Sequence, residues 1–202
     1  MSTVSTQREE PAPKPLELAK FHAMSEGTAE DWSIIEARDV EHFKGLPDRL
    51  LSHLKLLGGG ASGFAVDRLT HSLQTATRAY RANRDDEYVL CALIHDIGDT
   101  LGPANHADVA AAILKPFVSE QNHWMVEQHG IFQGYYFFHL LGGNRDIREQ
   151  FRDHPWFDYC AEFCAEYDQN SFDPDYPTEP LEHFEPLIRS VLAAPKRSIY
   201  NY

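Results

Sequence analysis

The sequence predicts an all-α protein built as a single helical bundle. Apolar side chains recur at spacings of three and four residues, and no stretch has the strict apolar–polar alternation that is typical of a strand. Hydrophobic residues make up 43% of the 202 residues, which is enough for a packed core. Residues 1–16 are instead rich in polar residues, charges and proline. We therefore expect a disordered tail over residues 1–16 and one helical domain over residues 17–202.

The first half of the chain carries four predicted helices. They run from Thr28 past Val40, from Leu46 to Leu57 before Gly58–Gly60, from Val66 to Tyr80, and from Asp85 to about Ile97. In the third, the spacing of Val66, Leu69, Leu73, Ala76 and Tyr80 predicts one buried face. In the fourth, acidic residues occupy the first turn, and the predicted core face is Val89, Leu90, Leu93, Ile94 and Ile97.

The second half of the chain carries four more predicted helices. They span His106 to Leu114, ended by Pro116; Glu120 to Phe138; Trp156 to Asp168; and Leu181 to Leu192. Together these elements make an all-helical bundle the simplest architecture.

Charge and composition exclude several classes of partner. The net charge is -13, which repels nucleic acid and anionic lipid, so we expect a small-molecule substrate, no nucleic acid and no membrane. No apolar run approaches a membrane span, and no signal-peptide core is found. Three cysteines form no disulfide framework, which favours a cytoplasmic location. Cys160 and Cys164 lie one helical turn apart, but no third ligand accompanies them.

His95 and Asp96 lie at the end of the most apolar predicted helix. An acid beside an imidazole is costly there unless both have partners. One interpretation is a buried, hydrogen-bonded His–Asp pair. The other is metal ligation, for which imidazole and carboxylate suit Fe, Mn, Zn or Mg.

The wider pattern favours the metal. His71 in "THSLQTA", His95-Asp96 in "ALIHDIGD" and Asp168 in "AEYDQNSFD" occur in an order that resembles the HD-domain superfamily, and the separation of 24 positions from His71 to His95 resembles it too. The resemblance implies an HD-type helical bundle. It also implies that these four residues bind one metal ion.

Two further histidines raise the expected metal count. His106 in "PANHADVAAAIL" and His129 in "WMVEQHGIFQGYYF" stand where dinuclear members of the superfamily insert two ligands. The resemblance then implies a second metal held by these two histidines, with Asp96 bridging both ions. His123 competes with His129 for this role, and we prefer His129.

Two chemistries use such a centre. A phosphohydrolase should surround the metals with Lys or Arg, yet between Leu90 and Gln133 the only one is Lys115. The chain looks more like the oxygenase branch that includes myo-inositol oxygenase and the phosphonate-cleaving HD-domain oxygenases. That resemblance implies two iron ions in the mixed-valence Fe(II)/Fe(III) state, O2 as co-substrate, and His95 and Asp96 at the catalytic centre. A third alternative is a non-catalytic HD-fold protein that binds a ligand.

The substrate residues of that branch are replaced here. Asp99 and Gln133 stand at lysine positions, Ala165 at an arginine position, and Ala61 and Phe64 at Tyr and Glu positions. We therefore expect a different substrate, a small hydroxylated compound carrying an ammonium group. The candidate substrate-binding residues are Asp99, Gln133, Tyr135 and Glu166, and Gln74 and Asp67 are candidates for supporting the metal ligands.

Overall fold

The computed structural model describes residues 17–60 and 63–198, so the predicted tail over residues 1–16 lies outside the described part. The described residues are helical and contain no strand, which confirms the all-α prediction. None of their helices is long and apolar enough to cross a bilayer. The chain divides into two compact units between Lys44 and Gly45. The single domain over residues 17–202 stays a prediction, and each unit is described by itself.

The first unit contains helix α1 (Ala29–Lys44). Thr28 begins it: its hydroxyl accepts the backbone N–H of Asp31 at 3.2 Å, and the Asp31 carboxylate accepts the backbone N–H of Thr28 at 3.1 Å. This reciprocal pair satisfies two N–H groups that the first turn leaves open. The same carboxylate accepts the backbone N–H of Lys20 at 2.8 Å, so Asp31 also fixes the segment before the helix.

The second unit contains the remaining helices. They are α2 (Leu46–Leu54), α3 (Arg68–Arg81), α4 (Asp86–Ile94), α5 (His106–Leu114), α6 (Glu120–Phe137), α7 (Phe157–Glu162) and α8 (Leu181–Val191). A π-helix, Phe163–Asp168, continues α7 directly. Short 3-10 helices cover Lys55–Leu57, Ile97–Thr100, Phe138–Leu141 and Arg145–Phe151. The side chains of Asp67, Asp85 and Ser119 cap α3, α4 and α6 by accepting backbone N–H groups of the first turn.

Helix α4 is the centre of this unit. It packs against α3, α6 and α8, and α5 packs against α6. Its predicted core face, Val89, Leu90, Leu93, Ile94 and Ile97, is fully buried, which confirms that part of the prediction. The chain that leaves α4 is therefore held in the interior of the bundle.

The predicted buried face of α3 was wrong in part. Tyr80 is 47% exposed, and the buried residues of this helix are mainly polar: His71, Ser72, Gln74, Thr75 and Thr77. Thr75 and Thr77 donate their hydroxyls to the carbonyls one turn earlier, so their polar atoms are satisfied. The spacing of apolar residues does not predict the buried face of α3, because the side of this helix that faces the interior carries mainly polar side chains.

Gly98 allows the turn after α4 to touch the start of α5. A Cβ atom at this position would lie 2.3 Å from the carbonyl oxygen of His106 and 2.8 Å from the Cβ of Val109. The carbonyl oxygen is part of the helix backbone and the Cβ atom is bonded directly to it, so neither atom can move freely. Only glycine fits without pushing α5 away.

We predict that Gly98→Ala destabilises the protein by about 1–3 kcal/mol, because the added methyl overpacks this contact. Chemical denaturation measures the change in unfolding free energy. Gly60→Ala is the matched control, since a Cβ at Gly60 meets nothing within 4 Å. Equal stabilities of the two variants would contradict the close-contact argument.

Glu87 joins α4 to the start of α6. Its Oε1 accepts the backbone N–H of Ser119 at 2.5 Å and the side-chain amide N–H of Asn122 at 2.8 Å, and Lys196 pairs with Oε2. Burial alone would raise the pKa of Glu87, but these donors outweigh it and lower the pKa to about 2. The ionised carboxylate is thus part of the folded structure.

We predict that Glu87→Gln lowers the free energy of unfolding by about 1–3 kcal/mol at pH 6, because charge-assisted hydrogen bonds are lost. The folded pKa lies below the ordinary value of 4.5, so the contribution is complete above that pH and disappears as pH falls towards 2. Urea denaturation across this range should show the two proteins converging. A gap that stays constant down to pH 2.5 would refute the assignment.

Candidate metal centre

Six side chains from five segments of the second unit converge near the C-terminal end of α4. They are His71 of α3, His95 and Asp96 directly after α4, His106 at the start of α5, His129 of α6, and Asp168 at the end of the π-helix. Five of the six are almost fully buried, and the His106 side chain is 26% exposed. The structure thus brings together the six residues that the sequence favours as metal ligands.

The π-helix delivers the last of these residues. Sequence periodicity predicts one helix from Trp156 to Asp168, whereas the structure has α7 followed by the wider turns of Phe163–Asp168. Such turns add a residue to the helical repeat and are frequent at functional sites. Here Asp168 is only 2% exposed, and its carboxylate faces His71 and His95.

Backbone carbonyls orient three of the imidazoles. The Nδ1 atoms of His71, His95 and His129 lie 2.9, 2.8 and 2.6 Å from the carbonyl oxygens of Ser171, Ala92 and Val126. A carbonyl oxygen only accepts hydrogen bonds, so each Nδ1 carries the proton when the ring is neutral. Each Nε2 is then left with its lone pair, the state in which imidazole binds a metal.

A carboxylate lies beside the fourth imidazole. Nδ1 of His106 lies 3.4 Å from Oδ1 of Asp99. His106 differs from the other three because its partner carries a charge. Burial outweighs the nearby carboxylates and lowers the pKa of His106, which favours the neutral ring whose nitrogen can bind a metal.

The inward atoms form two groups. In the first, Nε2 of His71 lies 3.1 Å from Nε2 of His95 and 3.2 Å from Oδ1 of Asp168. In the second, the Nε2 atoms of His106 and His129 lie 3.3 Å apart. Donor atoms that share one metal at about 2.1 Å are separated by about 3.0–3.5 Å. Both groups therefore have the spacing of a ligand set.

Asp96 lies between the two groups. Its Oδ1 is 3.3 Å from the Nε2 atoms of both His106 and His129, and its Oδ2 is 3.5 Å from Nε2 of His71. Oδ1 also lies 3.7 Å from Nε2 of His95, so the carboxylate contacts members of both groups. This position suits a carboxylate shared between two metal ions.

The electrostatics of the site also favour bound cations. Burial would lower the pKa of His71 and His95, but Asp96 and Asp168 raise both values. Burial would raise the pKa of the two carboxyl groups, yet the surrounding imidazoles hold the pKa of Asp96 and Asp168 below the usual range. Oδ2 of Asp168 is buried and accepts no hydrogen bond from the described residues. A buried, ionised oxygen without a donor fits a metal ligand.

The sequence argument missed a basic residue at this centre. Arg68 donates through Nη1 to Oδ2 of Asp96 at 3.1 Å and pairs through Nε with Oδ2 of Asp99 at 2.8 Å. The expectation that Lys and Arg are absent around the metals was therefore wrong, because it considered only residues near the HD pair in sequence. Arg68 precedes His71 by three residues, and this spacing on one helix could have revealed it.

A cavity of about 380 Å³ opens onto both ligand groups. Apart from Gly130, its other lining residues are aromatic or polar: Phe64, Arg68, Gln133, Tyr136, Phe137, Gln169 and Phe172. Phe172 stacks on the ring of His71 at 4.3 Å and on Phe64 at 4.8 Å. Such a chamber suits a small molecule with apolar and hydrogen-bonding parts.

The four predicted substrate residues are placed differently. Gln133 lines the cavity, and its Oε1 is buried without a donor among the described residues. Asp99 lines a neighbouring groove and is engaged by Arg68 and His106. The ring of Tyr135 is covered by two arginine side chains, and Glu166 is exposed and does not line the cavity. Their roles in substrate binding stay predictions, with Gln133 the best placed.

The two predicted supporting residues act on the backbone. Asp67 caps α3, accepting N–H groups from Thr70 and Gly59. Gln74 donates to the carbonyl of Asp173 at 2.5 Å and accepts its N–H at 3.3 Å. Asp173 lies two residues after Ser171, whose carbonyl orients His71. Gln74 therefore holds the loop that positions this imidazole.

The competing candidates lie outside the two ligand groups. His123 is half-buried on α6, and burial lowers its pKa. Cys160 and Cys164 are buried and donate to the carbonyls of Met125 and His129. Burial raises the pKa of the Cys164 thiol, which disfavours the thiolate needed for a metal ligand.

Comparison with known families agrees with this geometry. Residues 68–154 match the HD domain, and no curated protein has significant similarity to the chain. The matched segment contains five of the six residues of the centre, whereas Asp168 lies beyond it and rests on the geometry. Over residues 68–154 the chain is therefore similar to the HD domain, and this similarity favours a metal-dependent enzyme.

Proposed function

We propose that this protein is a di-iron, O2-dependent oxygenase that oxidatively cleaves a small hydroxylated substrate. The observation that carries the proposal is the second imidazole pair, His106 and His129, facing one oxygen of Asp96. A centre for a single ion needs only His71, His95, Asp96 and Asp168. The added pair supports a dinuclear site, which the resemblance to the oxygenase branch also implies.

The donor set suits iron. Imidazole and carboxylate together bind Fe as well as Mn or Zn, and we propose iron among these because the resemblance to the oxygenase branch implies it. In the proposed enzyme His71, His95 and Asp168 would hold one ion and His106 and His129 the other, with Asp96 available to both. When bound, a mixed-valence Fe(II)/Fe(III) pair would supply O2 activation and electron transfer.

The chain's own residues then bind and orient the substrate. The amide of Gln133 offers a buried, unpaired oxygen to a substrate hydroxyl or ammonium group. The rings of Phe64, Tyr136, Phe137 and Phe172 form an apolar wall against which the apolar part of a substrate can pack. These rings, rather than Asp99, support the ammonium group proposed from the sequence, since aromatic faces attract such cations.

A metal-dependent phosphohydrolase is the second candidate, and Arg68 is the observation that favours it. A guanidinium next to the bridging carboxylate could neutralise a phosphate held at the metals. A third candidate, a ligand-binding protein without catalysis, would need no complete ligand set.

The first prediction from this proposal concerns oxygen. Protein loaded with Fe(II) and partly oxidised in air should give a half-integer EPR signal from two coupled irons, and hydroxylated amines should change that signal and stimulate O2 uptake. Phosphonates and inositols serve as comparison substrates. Release of phosphate from a nucleotide or phosphate ester without O2, with no such signal, would favour the hydrolase instead.

The second prediction concerns the ligands. His106→Ala or His129→Ala should lower the bound metal from two ions per chain to one, because each removes a donor from the second group only. Metal analysis of the purified variants measures this. His123→Ala, on the same helix as His129, is the matched control and should retain two ions. Retention of both ions by the His106 and His129 variants would sink the dinuclear assignment.

A further inference from the structure

His106 lies between two spaces of the second unit. It lines the cavity described above, and it also lines a groove of about 440 Å³ that contains Asp99. The two nitrogen atoms of its ring face different partners: Nε2 lies 3.3 Å from Oδ1 of Asp96, whereas Nδ1 lies 3.4 Å from Oδ1 of Asp99. The side chain of His106 is 26% exposed, in contrast to the other five residues of the centre. This imidazole therefore connects the buried centre with the groove.

The donor atoms of the centre continue into the groove without a gap. One donor atom each of Asp96, Asp99 and His106 lies within 4.8 Å of the other two, so these residues form an outer set of possible metal ligands. The inner set is Asp96, His106 and His129, whose donor atoms lie 3.3 Å apart. The two sets share Asp96 and His106. Exchange of Asp99 for His129 is thus the one change that separates them.

The groove suits an incoming metal ion better than the cavity does. A divalent cation is strongly hydrated, and its burial is costly unless protein ligands replace the lost water. Away from the ligands, the cavity is lined largely by aromatic rings. The groove instead offers the carboxylate of Asp99, which is 16% exposed and therefore within reach of solvent. Its Oδ2 pairs with Arg68, while Oδ1 faces His106 and is placed to share a cation with it.

We propose that metal ions reach the centre through this groove and that Asp99 is the first protein ligand they meet. Asp96 and His106 then complete the outer set, and His129 replaces Asp99 when the ion reaches its final position. The inference rests on the metal centre of the proposed function, although not on its reaction or on iron. It gives Asp99 a role in loading the centre and leaves the cavity to the substrate.

The rate at which metal-free protein takes up Co(II) tests this role without any turnover. Stopped-flow absorbance gives the association rate, and competition with a chelator gives the dissociation rate. Asp99→Asn should slow association about tenfold or more, because the incoming cation loses its first charged ligand. The variant should still take up two ions per chain, since the inner set is intact. Asp108→Asn is the matched control: it removes an exposed carboxylate two residues from His106 that does not line the groove.

Three outcomes of this experiment would overturn the proposal. The first is an unchanged association rate in Asp99→Asn. The second is a weaker affinity that arises only from faster dissociation, because Asp99 would then merely support the ring of His106. The third is equal slowing in Asp108→Asn, which would indicate a general attraction of cations to an acidic surface.

A reversible plug in the groove tests the route with a different variant. Thr100 is exposed and lines the groove, and the three native cysteines are buried, so Thr100→Cys supplies an accessible thiol for labelling. A bulky, uncharged methanethiosulfonate label there should slow Co(II) uptake, and reduction of the mixed disulfide should restore it. Phe137→Cys, labelled in the same way at the cavity, should load at the rate of its unlabelled form. A groove label without effect, or a cavity label that slows uptake as strongly, would overturn the route.

The number of ions bound and the rate of binding test different claims. Wild-type protein that saturates at one ion per chain would contradict the dinuclear centre of the proposed function, whereas the rates decide the route for any ion that binds. Because Co(II) uptake needs neither O2 nor substrate, a protein that loads through the groove but consumes no O2 would retain this inference and lose the proposed reaction.

Discussion

The burial of two ionised carboxylates among four imidazoles is the constraint on which the rest of the structure depends. Asp96 and Asp168 are each less than 5% exposed, and one oxygen of Asp168 has no donor among the described residues. Such charges are costly in a protein interior unless cations compensate them. The geometry around them, with ligand-spaced nitrogen atoms on either side of Asp96, is suited to two metal ions. The fold can be understood as the scaffold that holds these groups at that spacing.

The scaffold does this largely with its backbone. Carbonyl oxygens within α4 and α6 and in the loop after the π-helix fix three imidazoles, so the orientation of the ligands does not depend on exposed side chains. Gly98 lets α5 approach the turn that carries Asp96, and the π-helix turns Asp168 inward. Arg68 adds a positive charge to the centre, where it contacts Asp96 and Asp99 and lines the cavity.

Much of this could be predicted from the sequence, because helical periodicity and caps are local signals. The bounds of α5 and the core face of α4 agree with the prediction, and the order of the six ligands identified the residues that converge. Other features depend on tertiary contacts. Phe64 and Phe172 are far apart in sequence yet stack in one cavity wall, and Tyr135 differs from Tyr136 only in which face of α6 it occupies. The π-helix could not be predicted because its apolar pattern is also compatible with an α-helix.

The most direct test of the central claim is anomalous diffraction from crystals of the protein loaded with iron under anaerobic conditions. The account predicts two iron peaks per chain: one bonded to His71, His95 and Asp168, the other to His106 and His129, with Asp96 bonded to both. A single peak at full occupancy, or a second peak away from His106 and His129, would contradict the dinuclear centre.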